Sequence, residues 1–221
     1  MKLTYPWLHT VLEWDDTKVQ GLVIENPGLL YRFLCDLQGQ IHGLDGEIVL
    51  SEKETPVPIS KRVEFLTDFI GWDGNNRKIA TKLVGILEKA SVDDPFLQER
   101  NAILSRLEQY VYELADSQDL SVDVDNLSMA ALLKAMGLRI DMGYESLGDR
   151  LFSYMDFVSR CEENKLFVLY ALRSVLLTDE LSLFIETALR HGMRILLVDA
   201  MSYPLLPREN RVTIDSDLCV I

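Results

Sequence analysis

The chain has 221 residues, 48% of them hydrophobic and 26% charged, and carries a formal charge of −13 at neutral pH. That length holds one large domain or two small ones, and no apolar run approaches the roughly 18 residues that a membrane span needs. The isoelectric point near 4.6 argues against indiscriminate nucleic-acid binding, which draws its affinity from Lys and Arg neutralising phosphates; a local basic surface is still compatible with it.

The amino-terminal MKLTYPWLHTVLEW has one Lys and interrupting polar groups. It does not read as a signal peptide, so a cytoplasmic location and no membrane partner are expected. KVQGLVIE (18–25) reads as a strand, and Asn26-Pro27-Gly28 then opens a short helix over LLYRFLCDL, with Pro27 suited to its first turn. GEIVLSE (46–52) and KRVEFLTDFIG (61–71) read as further strands separated by the TPVPI breaker. From Asn75 the period becomes helical, with Ile79, Leu83, Ile86 and Ala90 in step, and Asp94-Pro95 restarts the chain. Leu97, Leu104 and Val111, with Leu107 and Leu114, form two heptad-spaced apolar rows, enough for a packed antiparallel helix pair. Leu127 to Met136 is a third short helix stopped by Gly137.

In the last third, LRID (138–141) reads as a short strand and Glu145 to Cys161 as a helix. KLFVLYAL (165–172) and MRILLVDA (193–200) are near-continuous apolar strands, as expected where both faces are covered. TDELSLFIETALRHG (178–192) between them is a helix with Thr178 as N-cap and Gly192 as stop. Strand, helix and strand with tight joins make a parallel βαβ unit. The expected architecture is an α/β domain from 1–74 and 138–221, interrupted by a helical insertion, 75–137.

A parallel sheet invites a search for a phosphate loop, but neither GxxxxGK[ST] nor GxGxxG occurs. GLDGE (43–47) and GWDGNN (71–76) lack the Lys and Ser/Thr that would meet phosphate and magnesium. Asp199 ends a strand where an NTPase would place its metal-organising carboxylate, yet without the loop a structural role is favoured. GxSxG and HExxH are absent too, and no Cys-His neighbourhood or zinc-like cluster presents itself. With 35 acidic residues, acid–base pairs could be drawn anywhere, and no enzymatic activity is expected.

Two charged stretches remain. NNRKIATK sets Arg77, Lys78 and Lys82 at the amino end of the first inserted helix, where free amide groups also favour anions. They are either phosphate contacts or a solvated helix face. ADSQDLSVDVDN (115–126) gathers Asp116, Asp119, Asp123 and Asp125 without a Lys or Arg. It is either a solvated connector or a site where carboxylate and carbonyl oxygens hold a hard cation. It is not an EF-hand, having neither the glycine at the sixth position nor the glutamate at the twelfth.

The order of the pieces resembles a known family. FLTDFIGWDGNNRKIATKLVGILE (65–88), LLKAMGLRID (132–141) and NKLFVLYALRSVLLTDELSLFIETALRHGMRILLVD (164–199) resemble segments of the accessory spacer-acquisition proteins of type II-A CRISPR systems, in their short form. The carboxyl-terminal stretch MSYPLLPRENRVTIDSDLCVI and the loop at 40–60 depart from that pattern. The resemblance implies an NTPase-like α/β head with a mixed or parallel sheet lacking a phosphate loop, plus an inserted α-helical leg. It also implies a non-catalytic homotetrameric ring that takes the ends of double-stranded DNA through a basic hole, alongside other CRISPR adaptation proteins and the type II effector nuclease. Calcium would be bound in the leg's acidic stretch, onto which Asp119, Asp123 and Asp125 fall, with Asp116 beside them. The competing readings are a nucleotide-binding or NTPase-like protein, and a helical interaction scaffold that does not bind DNA.

Overall fold

The computed structural model describes residues 1–125, 127–141 and 146–221. In chain order the elements begin with β1 (Lys2–Thr4), β2 (Val11–Glu13), β3 (Val19–Ile24) and α1 (Pro27–Ile41). Next come β4 (Val49–Glu52), β5 (Thr55–Val57), the single-turn α2 (Ile59–Arg62) and β6 (Val63–Leu66). Helices α3 (Arg77–Ala90), α4 (Phe96–Asp116) and α5 (Met129–Ala135) follow, and the chain finishes with α6 (Leu147–Cys161), β7 (Leu166–Tyr170), α7 (Thr178–Arg190), β8 (Arg194–Asp199) and β9 (Glu209–Ile214). They sort into two compact units, one of Met1–Trp72 with Met142–Ile221 and one of Asp73–Asp141. Among the described residues no helix is long and apolar enough to cross a membrane.

The first unit is mixed α/β. Its larger sheet runs β6-β7-β8-β3-β9 and every neighbouring pair in it is parallel. Leu166 to Leu169 and Ile195 to Val198 are essentially inaccessible, so the sheet is covered on both faces there, which is why these strands are apolar without alternation. The smaller sheet, β2-β1-β4-β5, is antiparallel. Its β4–β5 hairpin turns on Lys53 and Glu54, both at positive φ (48° and 64°), the pair of left-handed residues that a two-residue primed turn requires.

Helix α1 shows how sequence becomes packing here. The Asn26 side chain accepts from the Leu29 amide at 3.0 Å, Pro27 fills the first turn, and Leu29, Leu30, Phe33 and Leu37 face inward. These pack with Leu22, Ile24, Val168 and Leu196 of the large sheet and with Leu3, Leu12 and Leu50 of the small one. One apolar cluster therefore holds both sheets. Trp14 adds a buried donor, its indole Nε1–H reaching the Ile195 carbonyl at 2.9 Å.

Several sequence expectations change. The stretch 61–71 is a strand only over Val63–Leu66. Lys61 and Arg62 belong to α2 instead, where the Lys61 carbonyl accepts from the buried Lys165 ammonium at 2.7 Å. Within 46–52 the strand is confined to Val49–Glu52. The N-cap of α7 is Leu177, whose amide donates to the Glu180 carboxylate at 3.4 Å, so Thr178 is the first helical residue. Helix α6 is capped by Ser146, which accepts from the Asp149 amide at 3.1 Å; Glu145 lies outside the described residues.

LRID is not a strand. Both polar groups of Ile140 are taken by one side chain: its amide donates to Asn75 Oδ1 at 2.9 Å and its carbonyl accepts from Asn75 Nδ2 at 3.2 Å. A side-chain amide thus supplies the pairing that a neighbouring strand would otherwise give. Arg139, one residue earlier, pairs with Asp73.

Candidate functional site

In the helical unit, Asn76 caps α3 by accepting from the Ile79 amide at 3.0 Å. Arg77 is therefore the first helical residue, and it is exposed. Lys78 and Lys82 are one turn apart on one side of α3, while Arg77 is rotated away from Lys78 by about 100°. Lys78 is exposed and Lys82 half-buried, and each has an interaction partner within the chain. The three cations form a broad basic end of the helix and not a single convergent cradle.

Helix α4 departs most from its expected packing. Helix α3 packs on α5, but the apolar rows on α4 do not close an antiparallel pair. Leu104 and Leu107 are half-buried, Leu97, Val111 and Leu114 are exposed, and Ala115 is the one buried residue of the helix. Phe96 at 55% and Tyr110 at 56% exposure widen the same face. Below it runs an apolar groove lined by Leu87, Phe96, Ile103, Met129 and Leu133. Helix α4 thus leaves much of the apolar side of its 21 residues in contact with water.

Asp116 is the last residue of α4, and the helix closes through Leu120 N–H donating to the Ala115 carbonyl at 3.0 Å. Asp119 takes the left-handed position of that closure, φ 55°. Asp123 and Asp125 follow in irregular chain; Asp125 has a partner of its own, and Asn126, the end of the acidic stretch, lies outside the described residues. All four aspartates are exposed. Among the described residues no group of three or more His, Cys, Asp or Glu side chains converges to hold a metal. Carboxylate and carbonyl oxygens are the donors a hard cation takes, but among the described residues those of this stretch are not gathered into a coordination shell.

The carboxyl ends of β3 and β8 are where an open parallel sheet ordinarily receives a ligand. Here β3 passes to α1 through Glu25 and Asn26 alone. The first-turn amide of Leu29 is taken by Asn26, and Asn26 Nδ2 donates to the Ser216 carbonyl at 3.0 Å. On the sheet face beside it lies a buried charge cluster. Arg173 sits in the turn after β7, which Ala171 enters at φ 56°, and its Nε is 2.9 Å from Asp199 Oδ2. Arg173 Nη2 donates to Glu209 Oε1 at 2.7 Å. Arg211 donates to both oxygens of Glu209, at 2.7 and 2.8 Å.

Burial pushes the Asp199 carboxyl up to about 6, against the pull of Arg173. Burial pushes Glu209 upward as well, but hydrogen bonds from Arg211 and Arg173 outweigh it and hold this carboxyl below its ordinary value. Asp199 is the one member that the sequence marks out. Arg173, Glu209 and Arg211 sit at no fixed spacing from it and converge only through the fold.

The fold and these sites define a mixed α/β protein interrupted in sequence by a helical unit. Residues 40–218 match the family described as CRISPR-associated protein (Cas_Csn2), and the chain belongs to that family; its role is CRISPR-associated. The match agrees with the type II-A resemblance carried by residues 65–88, 132–141 and 164–199. No curated protein matches the chain. Among solved structures, a putative ABC transporter ATP-binding protein from Pyrococcus furiosus is similar over 91% of this chain and 88% of that one, at 12% identity and a TM-score of 0.38.

Proposed function

We propose that this chain is a non-catalytic protein of CRISPR adaptation that binds the ends of double-stranded DNA as a homotetrameric ring, with Ca²⁺ as a required ion. The observation that carries the reading is the uncovered apolar face of α4, which in a family member of this size calls for further copies of the chain. The α/β unit is read as an NTPase-like head without a phosphate loop. The short β3–α1 join offers no cradle, and the Asn26 cap already occupies a first-turn amide that would meet a phosphate.

Assembly explains how an acidic chain could bind a polyanion. Arg77, Lys78 and Lys82 supply few phosphate contacts in one copy, but symmetry repeats them, and contacts made together on one duplex reinforce one another. Backbone charge alone is read, so the binding is independent of sequence. Calcium enters as an ion held by Asp116, Asp119, Asp123 and Asp125, with the oxygens brought together on assembly. Other adaptation proteins and the type II effector nuclease are the proposed protein partners, and the cytoplasm the proposed location.

Light scattering in calcium buffer tests the reading. The expected mass is four times the 25.2 kDa chain, with retention of linear duplex but not of closed circular duplex. A monomer at every concentration would sink the ring. A tetramer that ignores DNA would leave the helical scaffold as the better account.

A further inference from the structure

We propose that Arg173 is a built-in counter-cation that fills the crevice at the carboxyl end of β8 and locks residues 200–208 onto the sheet, so that this segment is a fixed strap and not a ligand-responsive lid. Two carboxylates and two guanidiniums make the cluster neutral without any bound ion. Arg173, Asp199 and Glu209 are each at least nine-tenths buried. Arg173 is the shared member, bridging Asp199 at the end of β8 and Glu209 at the start of β9.

The strap is tied down by the same groups. Glu209 Oε2 accepts from the Leu206 amide at 3.1 Å. Arg211 donates to the carbonyls of Tyr203 and Pro204, and Arg173 reaches the Pro204 carbonyl at 3.5 Å while lying 6.0 Å from the centre of the Tyr203 ring. From the neighbouring strand β3 comes Gly21, where a Cβ would stand 2.2 Å from Glu209 Oε1. The absence of a side chain there is what lets the glutamate lie across the sheet. The charged groups facing Asp199 are therefore Arg173 from the β7 turn, and Glu209 and Arg211 from β9.

Without Arg173, Asp199 and Glu209 would share a buried site with one fewer positive charge, and their charged forms would be disfavoured. The loss should then depend on protonation, which a purely steric role for Arg173 would not.

The test is amide hydrogen exchange over 200–208, with thermal melting, in the full chain at about pH 5 and about pH 8. Arg173→Met is expected to exchange in the strap more than about tenfold faster at the higher pH, with a lowered melting temperature. Both effects should shrink at the lower pH as the carboxylates take up protons. Adding Asp199→Asn to Arg173→Met should relieve part of the loss at the higher pH. Arg173→Lys, which keeps the charge but loses the two-armed bridge, should fold and still exchange faster in the strap. Unchanged exchange there in folded Arg173→Lys would overturn the proposal, and so would a loss in Arg173→Met that is equal at both pH values and untouched by Asp199→Asn. Added magnesium–ATP should leave exchange in the parent's strap unaltered; protection there would make the segment a lid after all.

Discussion

Gly21 and Glu209 give the residue scale its sharpest steric test. Glu209 cannot swing aside cheaply, because Arg173, Arg211 and the Leu206 amide all hold it. Gly21→Ala should therefore destabilise the protein by about 1–3 kcal/mol, as overpacking does; an unchanged denaturation midpoint would mean that the cluster shifts freely. Asp199 gives a pH signature. Its folded value, about 6, lies above the ordinary 3.8, so the folded state favours the protonated form. The stability this contributes is fully present below the ordinary value and is lost as pH rises through about 6, by at most about 3 kcal/mol. Glu209 works in the opposite sense, its contribution present above the ordinary 4.5 and lost as pH falls. Between about pH 4.5 and 6.5 the stability of the parent should accordingly fall relative to Asp199→Asn. A flat difference would show that Asp199 is fully ionised in the fold at low pH. None of this was legible in the sequence, where Asp199 is only an acid at the end of a strand, and its partners lie 26 residues before it and 10 or more after it.

At the scale of elements, legibility followed length and burial. Strands β7 and β8 and the helix between them announced themselves because a doubly covered strand is continuously apolar. Strands β1 and β2 did not, being three residues each and separated by a turn of 3-10 helix. LRID had a strand's residues but lost its pairing to Asn75, a side chain no periodicity reports. On α4 the sequence showed the apolar face but not that it would stay uncovered, since periodicity says which residues share a side and not what lies opposite. That face supports a direct prediction. Tyr110→Glu with Leu114→Glu touches residues exposed at 56% and 53%, so the single chain should keep its helicity and lose well under 1 kcal/mol. Its assembly should nevertheless fail in sedimentation. Retention of a four-copy mass would move the interface off α4.

For the molecule as a whole the difficulty is electrostatic: a chain of charge −13 proposed to hold a polyanion. Calcium would ease that conflict by neutralising carboxylates. In the parent it should raise the melting temperature by mass action on the native assembly, and Asp123→Asn with Asp125→Asn, which removes two charges at constant size, should abolish the rise. Equal calcium shifts in both proteins would place the ion elsewhere, and a parent indifferent to calcium would make the acidic stretch a solvated connector. The basic end of α3 provides the complementary test. Lys78 and Lys82 already have partners in the chain, so a duplex bound there would have to compete for them, and the net gain per contact would be smaller than for isolated cations. Each phosphate contact that releases a counterion nonetheless steepens the dependence of log affinity on log salt by about 0.9. Replacing Arg77, Lys78 and Lys82 together by Ala should lower affinity for linear duplex of any sequence and flatten that slope by at least about one such step. If affinity falls with the slope unchanged, the three residues act through folding or assembly; if neither changes, the basic end of α3 is a solvated face and any bound duplex is held by other residues.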